Sequence, residues 1–211
     1  MNASNGSKTS SARTNKNATP TNVLQRLIGV ITLKPAIYRE IAHDTNGTVQ
    51  AAIIVVVIAL VVGIIGYLGA NTQLPGVPDT SPKNPIGRAI VLVIQELLIW
   101  GAGAYVIAAV AKNMFQGKTD TGEMLRVFGF SRVFQILLVV GVFSSTIAAV
   151  VSIAGLALSV IASIVGIRAA TGFTTGRAVL VGVTAIVLVS IIIAFFTAFV
   201  LNPFVTTLLP T

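Results

Sequence analysis

The sequence predicts an all-α integral membrane protein: a bundle of five transmembrane helices with a cytoplasmic N-terminus and an outside C-terminus. Three observations carry this. Of 211 residues only 9% are charged and 55% are hydrophobic, with mean hydropathy +0.92, whereas a soluble domain carries about 25% charged residues. Apolar stretches of membrane-crossing length recur along the chain. The basic residues gather at the ends of those stretches, where they face headgroups and set topology. In a soluble protein a net charge of +8 would suggest nucleic acid, but this placement does not, and no nucleic-acid partner is expected. With no cysteine, disulfides, thiolate catalysis and Cys-based metal sites are excluded, and the single histidine, His43, rules out a multi-His metal site within one chain. No cofactor or metal is expected.

Residues 1–19 are rich in Ser, Asn, Thr and Lys and nearly devoid of apolar side chains, so they read as a disordered polar tail with no signal-peptide core. Residues 20–46 contain two short amphipathic helices. Val23, Leu24, Leu27, Ile28 and Ile31 share one stripe. Pro35 cannot continue that helix but suits the first turn of a second, with Ile37, Tyr38 and Ile41 inward and Arg39, Glu40 and Asp44 outward. Neither is long enough to span, so both are expected to lie in the headgroup layer; a soluble hairpin packed on the membrane domain is the alternative.

The five-span domain covers residues 47–205. Its first span, 49–70, holds 22 residues, about 33 Å of helix. Pro75, Pro78, Pro82 and Pro85 then forbid regular structure in a loop over 71–87. The second span is 88–111. A polar loop, residues 112–126, follows, in which Thr121-Gly122-Glu123 can begin the helix leading into the third span. Val133 to Ile167 contains neither charge nor proline. As one helix it would be about 52 Å long against a hydrocarbon core of roughly 30 Å, so it must fold back. The small hydroxyl residues of "GVFSST" (141–146) suit the turn, giving spans of about 127–143 and 145–167. The fifth span is 177–200, and Asn202-Pro203 is expected to end it.

Charge sets the orientation. Lys8, Arg13, Lys16, Arg26, Lys34 and Arg39 precede the first span. With five spans, Lys112, Lys118, Arg126, Arg132, Arg168 and Arg177 join them inside, twelve of the fourteen basic residues. Merging the third and fourth spans would move Arg168 and Arg177 outside, against the positive-inside rule. The expected location is the plasma membrane, crossed several times.

Lipid gives helices no hydrophobic reason to associate, so small residues that permit close approach mark packing faces. Ala148, Ser152, Gly155, Ser159, Ala162 and Gly166 form one such face over five turns. Gly101, Ala104, Ala108 and Ala111 repeat it on the second span, and Ala59, Gly63, Gly66 and Ala70 on the first. These faces are expected to pack helices within the chain, or else between chains in a homo-oligomer.

An ionised group at the bilayer centre costs about 2.5–3.5 kcal/mol and needs a reason. Glu96 is the one acidic residue well inside a span, with Gln95 beside it; Arg132 and Gln135 start the third. One reading brings Glu96 to Arg132 or Gln135 as a polar site for a proton or ion. The favoured reading keeps them apart at opposite leaflets, Glu96 reaching shallow water or Arg88 and Arg132 snorkelling inward. No HExxH, GxSxG, P-loop or dinucleotide fingerprint is present, so no catalytic residue is assigned and an enzyme is not expected.

Three segments together carry a resemblance. "LKPAIYREIAHD" precedes the first span, "GKTDTGEMLRVFGFSRVFQILLVV" leads into the third, and "SIVGIRAATGFTTGRAVLVG" leads into the last. Their order and spacing resemble the Yip domain, named for the Ypt/Rab-interacting proteins. Arg168, Gly172, Thr175, Gly176, Arg177 and Ala178 match its last loop, where glycines permit a tight path and arginines face headgroups or a partner. The resemblance, over about Leu24 to Val200, implies a five-span helical bundle with a cytoplasmic N-terminus. Eukaryotic members act in vesicle traffic, partly through Rab-type GTPases, and have a longer cytoplasmic region. The short tail here suggests a prokaryotic member and counts against GTPase binding. The function expected is non-enzymatic: organising membrane or binding a partner, as an accessory subunit of a larger membrane complex. The alternative is a small transporter or permease component using Glu96. Five spans without visible internal similarity count against the inverted repeat expected of a transporter.

Overall fold

A computed structural model describes residues 22–69, 84–143 and 145–208. The polar tail, Ala70 and most of the proline-bearing loop lie outside the described residues. Every described regular element is helical. Helices α1 (Val23–Ile31) and α2 (Pro35–His43) form a hairpin, followed by α3 (Gly47–Tyr67), α4 (Pro85–Phe115) and α5 (Thr121–Ser131). A 3-10 segment (Arg132–Phe143) continues α5, and α6 (Ser145–Thr171), α7 (Thr175–Phe196), a π turn (Thr197–Leu201) and α8 (Asn202–Leu208) complete the chain. Among the described residues four helices are long and apolar enough to cross a membrane: Gly47–Tyr67, Pro85–Phe115, Ala149–Thr171 and Thr175–Leu208.

Local sequence explains the boundaries. Asn84 caps α4 by accepting from the backbone N–H of Ile86 (2.9 Å) and Gly87 (3.2 Å), with Pro85 in the first turn; the missing proline N–H costs nothing there. Thus α4 begins three residues before the expected span and runs four beyond it, for about 46 Å. Asp120 caps α5 through the Glu123 N–H (2.7 Å). Gly172, at φ +72°, ends α6, and its N–H returns to the Arg168 carbonyl at 3.0 Å; that left-handed conformation is natural to glycine.

Two expectations are corrected. The segment 127–143 is not one continuous α-helix but the end of α5 running into twelve residues of 3-10 helix, a tighter geometry with about 2.0 Å rise per residue. Asn202-Pro203 also fails to end the last helix, which reaches Leu208. Proline clashes with the carbonyl four residues back; the π turn immediately before Pro203 widens the backbone and lets the helix pass.

The amphipathic hairpin packs on the bundle. Tyr38 and Ile41 are fully buried against α5 and α6, while Leu24, Ile28 and Ile31 on α1 are exposed. Glu40 and Asp44, expected outward, turn instead to Arg26. Small residues let the helices approach. A methyl on Gly63 would lie 2.6 Å from Val93 Cγ2 of α4, and one on Gly166 would collide with Val127 of α5. The rings of Phe115, the last residue of α4, and Phe173, in the loop after α6, meet tilted with their centres 6.4 Å apart, which brings the loops after α4 and α6 together. Those two loops therefore share the hairpin's end of the bundle, and the chain between them travels away and returns.

Candidate functional site

Glu96 and Arg132 meet in the middle of the bundle. Arg132 Nη2 lies 2.6 Å from Glu96 Oε1, and both side chains are more than nine-tenths buried. Gln135, one turn on, bridges the pair when its amide is oriented to suit both neighbours: its nitrogen donates to Glu96 Oε1 (2.8 Å) and its oxygen accepts from Arg132 Nη1 (2.9 Å). The guanidinium also stands 5.3 Å over the ring of Phe128, a cation–π contact that strengthens out of water. This overturns the reading that placed the two charges at opposite leaflets. Glu96 is eleven residues along α4, and Arg132 is eleven residues along from the start of α5 at the other end. Each is about 17 Å deep, and together these depths span roughly one hydrocarbon thickness. Spans that start at 88 and 127, as hydropathy suggests, make both charges too shallow, whereas the helices start at Pro85 and Thr121. Gln95 points elsewhere: its Nε2 donates to Thr197 Oγ1 of the π turn at 2.7 Å.

Beside this pair lies a cleft of about 460 Å³ between α4, α5 with its 3-10 continuation, α6 and α7. Arg132, Gln135, Ser159, Ser163 and Ser190 are its polar lining, in walls that are otherwise apolar apart from the small residues. On the packing face of α6, Ser152, Gly155, Ser159, Ala162 and Gly166 are all buried; the side chain of Ala148 lies outside the described residues.

The hairpin end holds two further arginines in a different setting. Arg26 donates from Nε and Nη2 to Glu40 Oε1 (3.2 and 3.0 Å), from Nη2 to Asp44 Oδ2 (2.5 Å) and from Nη1 to Gln50 Oε1 (2.8 Å). Burial alone would lower its pKa, but the hydrogen bonds to Asp44 and Glu40 and the charges of both acids outweigh burial and raise it. The Arg26 hydrogen bond in turn holds the Asp44 carboxyl below its ordinary range. Arg126 donates from Nε (2.9 Å) and Nη2 (2.5 Å) to the Ala42 carbonyl, tying α5 to the end of α2, and from Nη1 to Thr48 (3.2 Å). His43 Nδ1 lies 3.1 Å from Glu123. Tyr38 donates to the Val30 carbonyl at 3.1 Å, and burial pushes its phenol pKa up. All three motif segments thus converge on one end of the bundle. Arg168, Gly172, Thr175, Gly176 and Arg177 are exposed there.

Residues 28–197 match the Yip1 domain. The chain belongs to the Yip1 domain family. Neither the curated proteins nor the solved structures give a match. As a Yip1 domain protein it is a multi-pass membrane protein, its apolar helices surrounded by lipid. In this Yip1 domain, sequence reasoning missed Arg26 and Arg126 as organising residues. The available signal was Glu40 and Asp44, four apart on one helical face and in want of a cation; Arg26 stood unexplained on the polar side of the preceding helix.

Proposed function

We propose that this Yip1 domain protein is a non-enzymatic, five-span plasma-membrane protein. In this reading its motif-bearing end faces the cytoplasm and binds a protein partner, as an accessory subunit or scaffold. The observation that carries this is the division of arginines at that end. Arg26 and Arg126 are consumed in holding the hairpin to the bundle, whereas Arg168 and Arg177 stand exposed on either side of the Gly172 turn. Basic side chains presented at neighbouring helix ends suit an acidic partner surface and raise its encounter rate. The shared end of the loops after α4 and α6, joined by the Phe115–Phe173 contact, supports an odd count of crossings, with α5 and its 3-10 continuation as the third. The test is purification in mild detergent at native expression level, with mass spectrometry of co-migrating proteins. A stoichiometric partner lost on Arg168→Glu/Arg177→Glu supports the reading; a lone chain or a homo-oligomer contradicts the accessory-subunit form.

A second reading, a transporter or permease component using Glu96, draws on the mid-bundle ion pair beside a cleft. Glu96→Gln would abolish coupled flux in liposomes under that reading and leave partner binding unchanged under the first.

A further inference from the structure

The cleft beside Arg132 combines features that packing alone does not explain. Its volume, about 460 Å³, falls within the range of small-molecule pockets, roughly 300–1,000 Å³. Its walls are mostly apolar. Yet two of its lining residues, Arg132 and Ser159, are at most 7% exposed, and Arg132 Nε and Ser159 Oγ have no hydrogen-bond partner among the described residues. A buried donor left unmet costs about 1–3 kcal/mol, and in hydrocarbon no water is at hand to meet it. The mouth of the cleft carries Leu156 of α6 with Ile186, Ser190 and Ala194 of α7, all exposed. On membrane-spanning helices these positions face lipid, so the cleft opens sideways into the bilayer.

We infer that the cleft binds a membrane-borne amphiphile whose neutral hydrogen-bonding end, a hydroxyl or carbonyl oxygen, accepts from Arg132 Nε and Ser159 Oγ while its apolar body leaves between α6 and α7. Charge selects a neutral end. The Arg132 cation is already balanced by Glu96 at 2.6 Å, and a second anion would compete with that carboxylate for one guanidinium in low dielectric. The sideways mouth selects a ligand delivered from the bilayer. This site stands whether or not the hairpin end binds a protein.

The test uses the full chain in lipid nanodiscs with a long-chain primary alcohol carrying a diazirine, against the alkane of equal length carrying the same group. Cross-linked peptides are mapped by mass spectrometry. The alcohol is expected to label the cleft walls on α6 and α7 about tenfold more than the alkane, the worth of one net hydrogen bond. Ser159→Ala should cut that preference several-fold. Ser190→Phe, at an exposed position on the rim, should block cleft labelling by both probes. Equal labelling by alcohol and alkane, labelling spread over the outward faces at Ile153 and Ile191, or cleft labelling unchanged in Ser190→Phe would overturn the inference.

Discussion

Two buried arginines in this molecule solve the same problem in opposite ways. Arg26, at the hairpin end, directs its donors to Glu40, Asp44 and Gln50 and leaves none unmet among the described residues. Its acids are partly exposed, so water shares the load. Arg132, at the middle of the bundle, has one acid and one amide, and its Nε finds nothing. Arg26 sits where several polar elements converge; Arg132 sits inside the apolar bundle beside open space. A saturated arginine fastens structure, whereas an unsaturated one next to a cleft has bonding capacity to offer a ligand.

Substitutions can break that contrast. The largest effect is expected from Glu96→Leu, which strands Arg132 as an uncompensated buried charge and should cost about 3–5 kcal/mol. Adding Arg132→Leu should recover most of the loss, because an apolar pair of similar size fits the site. Unfolding in mixed micelles, followed through the single Trp100, reports both; its indole donates to the Leu125 carbonyl at 2.9 Å. A double variant no more stable than Glu96→Leu would show that the pair is not self-contained. Next is Gly166→Val, where the added bulk meets Val127 and Tyr38 and should cost about 1–3 kcal/mol. Gly101→Ala, on the second span, meets nothing within 4 Å and should be neutral in the same assay.

At the other pole, Arg26→Met should cost about 1–3 kcal/mol, chiefly through the unpartnered acids left behind. The damage should stay local, seen as faster amide exchange across α1 and α2 with α3 to α7 unchanged. The smallest effect is one of pH. Because Arg26 depresses the Asp44 pKa in the folded state, the carboxylate's contribution is fully present above about pH 4, the unfolded value, and is lost as pH falls through the folded pKa. Partial exposure limits it to about 1 kcal/mol. A spin-label distance between Gln25→Cys and Lys118→Cys should broaden on acidification, and Asp44→Asn should remove the pH dependence. A hairpin whose distance distribution does not respond to acid would sever Asp44 from that role.

Much of this was legible in the sequence, for identifiable reasons. Long apolar runs declared α3, α4, α6 and α7, and the 4-3-4-3 spacing of small residues on α6 marked the buried face. Proline misled twice. Pro85 reads as a loop residue but opens α4, and Pro203 reads as a stop although a π turn carries the helix past it. Those few residues at each helix end decided the larger matter, since they moved Glu96 and Arg132 to the same depth. The family motifs were visible as text, but not the way Arg126 reaches the Ala42 carbonyl to join two of them, because a hydrogen bond to backbone leaves no trace in residue type. The cleft was invisible, being space shared by four elements.

Everything proposed for the two ends of the molecule rests on five crossings with the hairpin end inside, and the absence of native cysteine makes this directly measurable. Single cysteines would be placed at Lys118, Thr174 and Thr206 and treated with a membrane-impermeant maleimide, in intact cells and after opening them. The account predicts that Thr206→Cys is labelled in intact cells, while Lys118→Cys and Thr174→Cys react only once the cells are opened. Labelling of Thr174→Cys in intact cells would contradict it, leaving four crossings and placing Arg168 and Arg177 outside, away from any cytoplasmic partner.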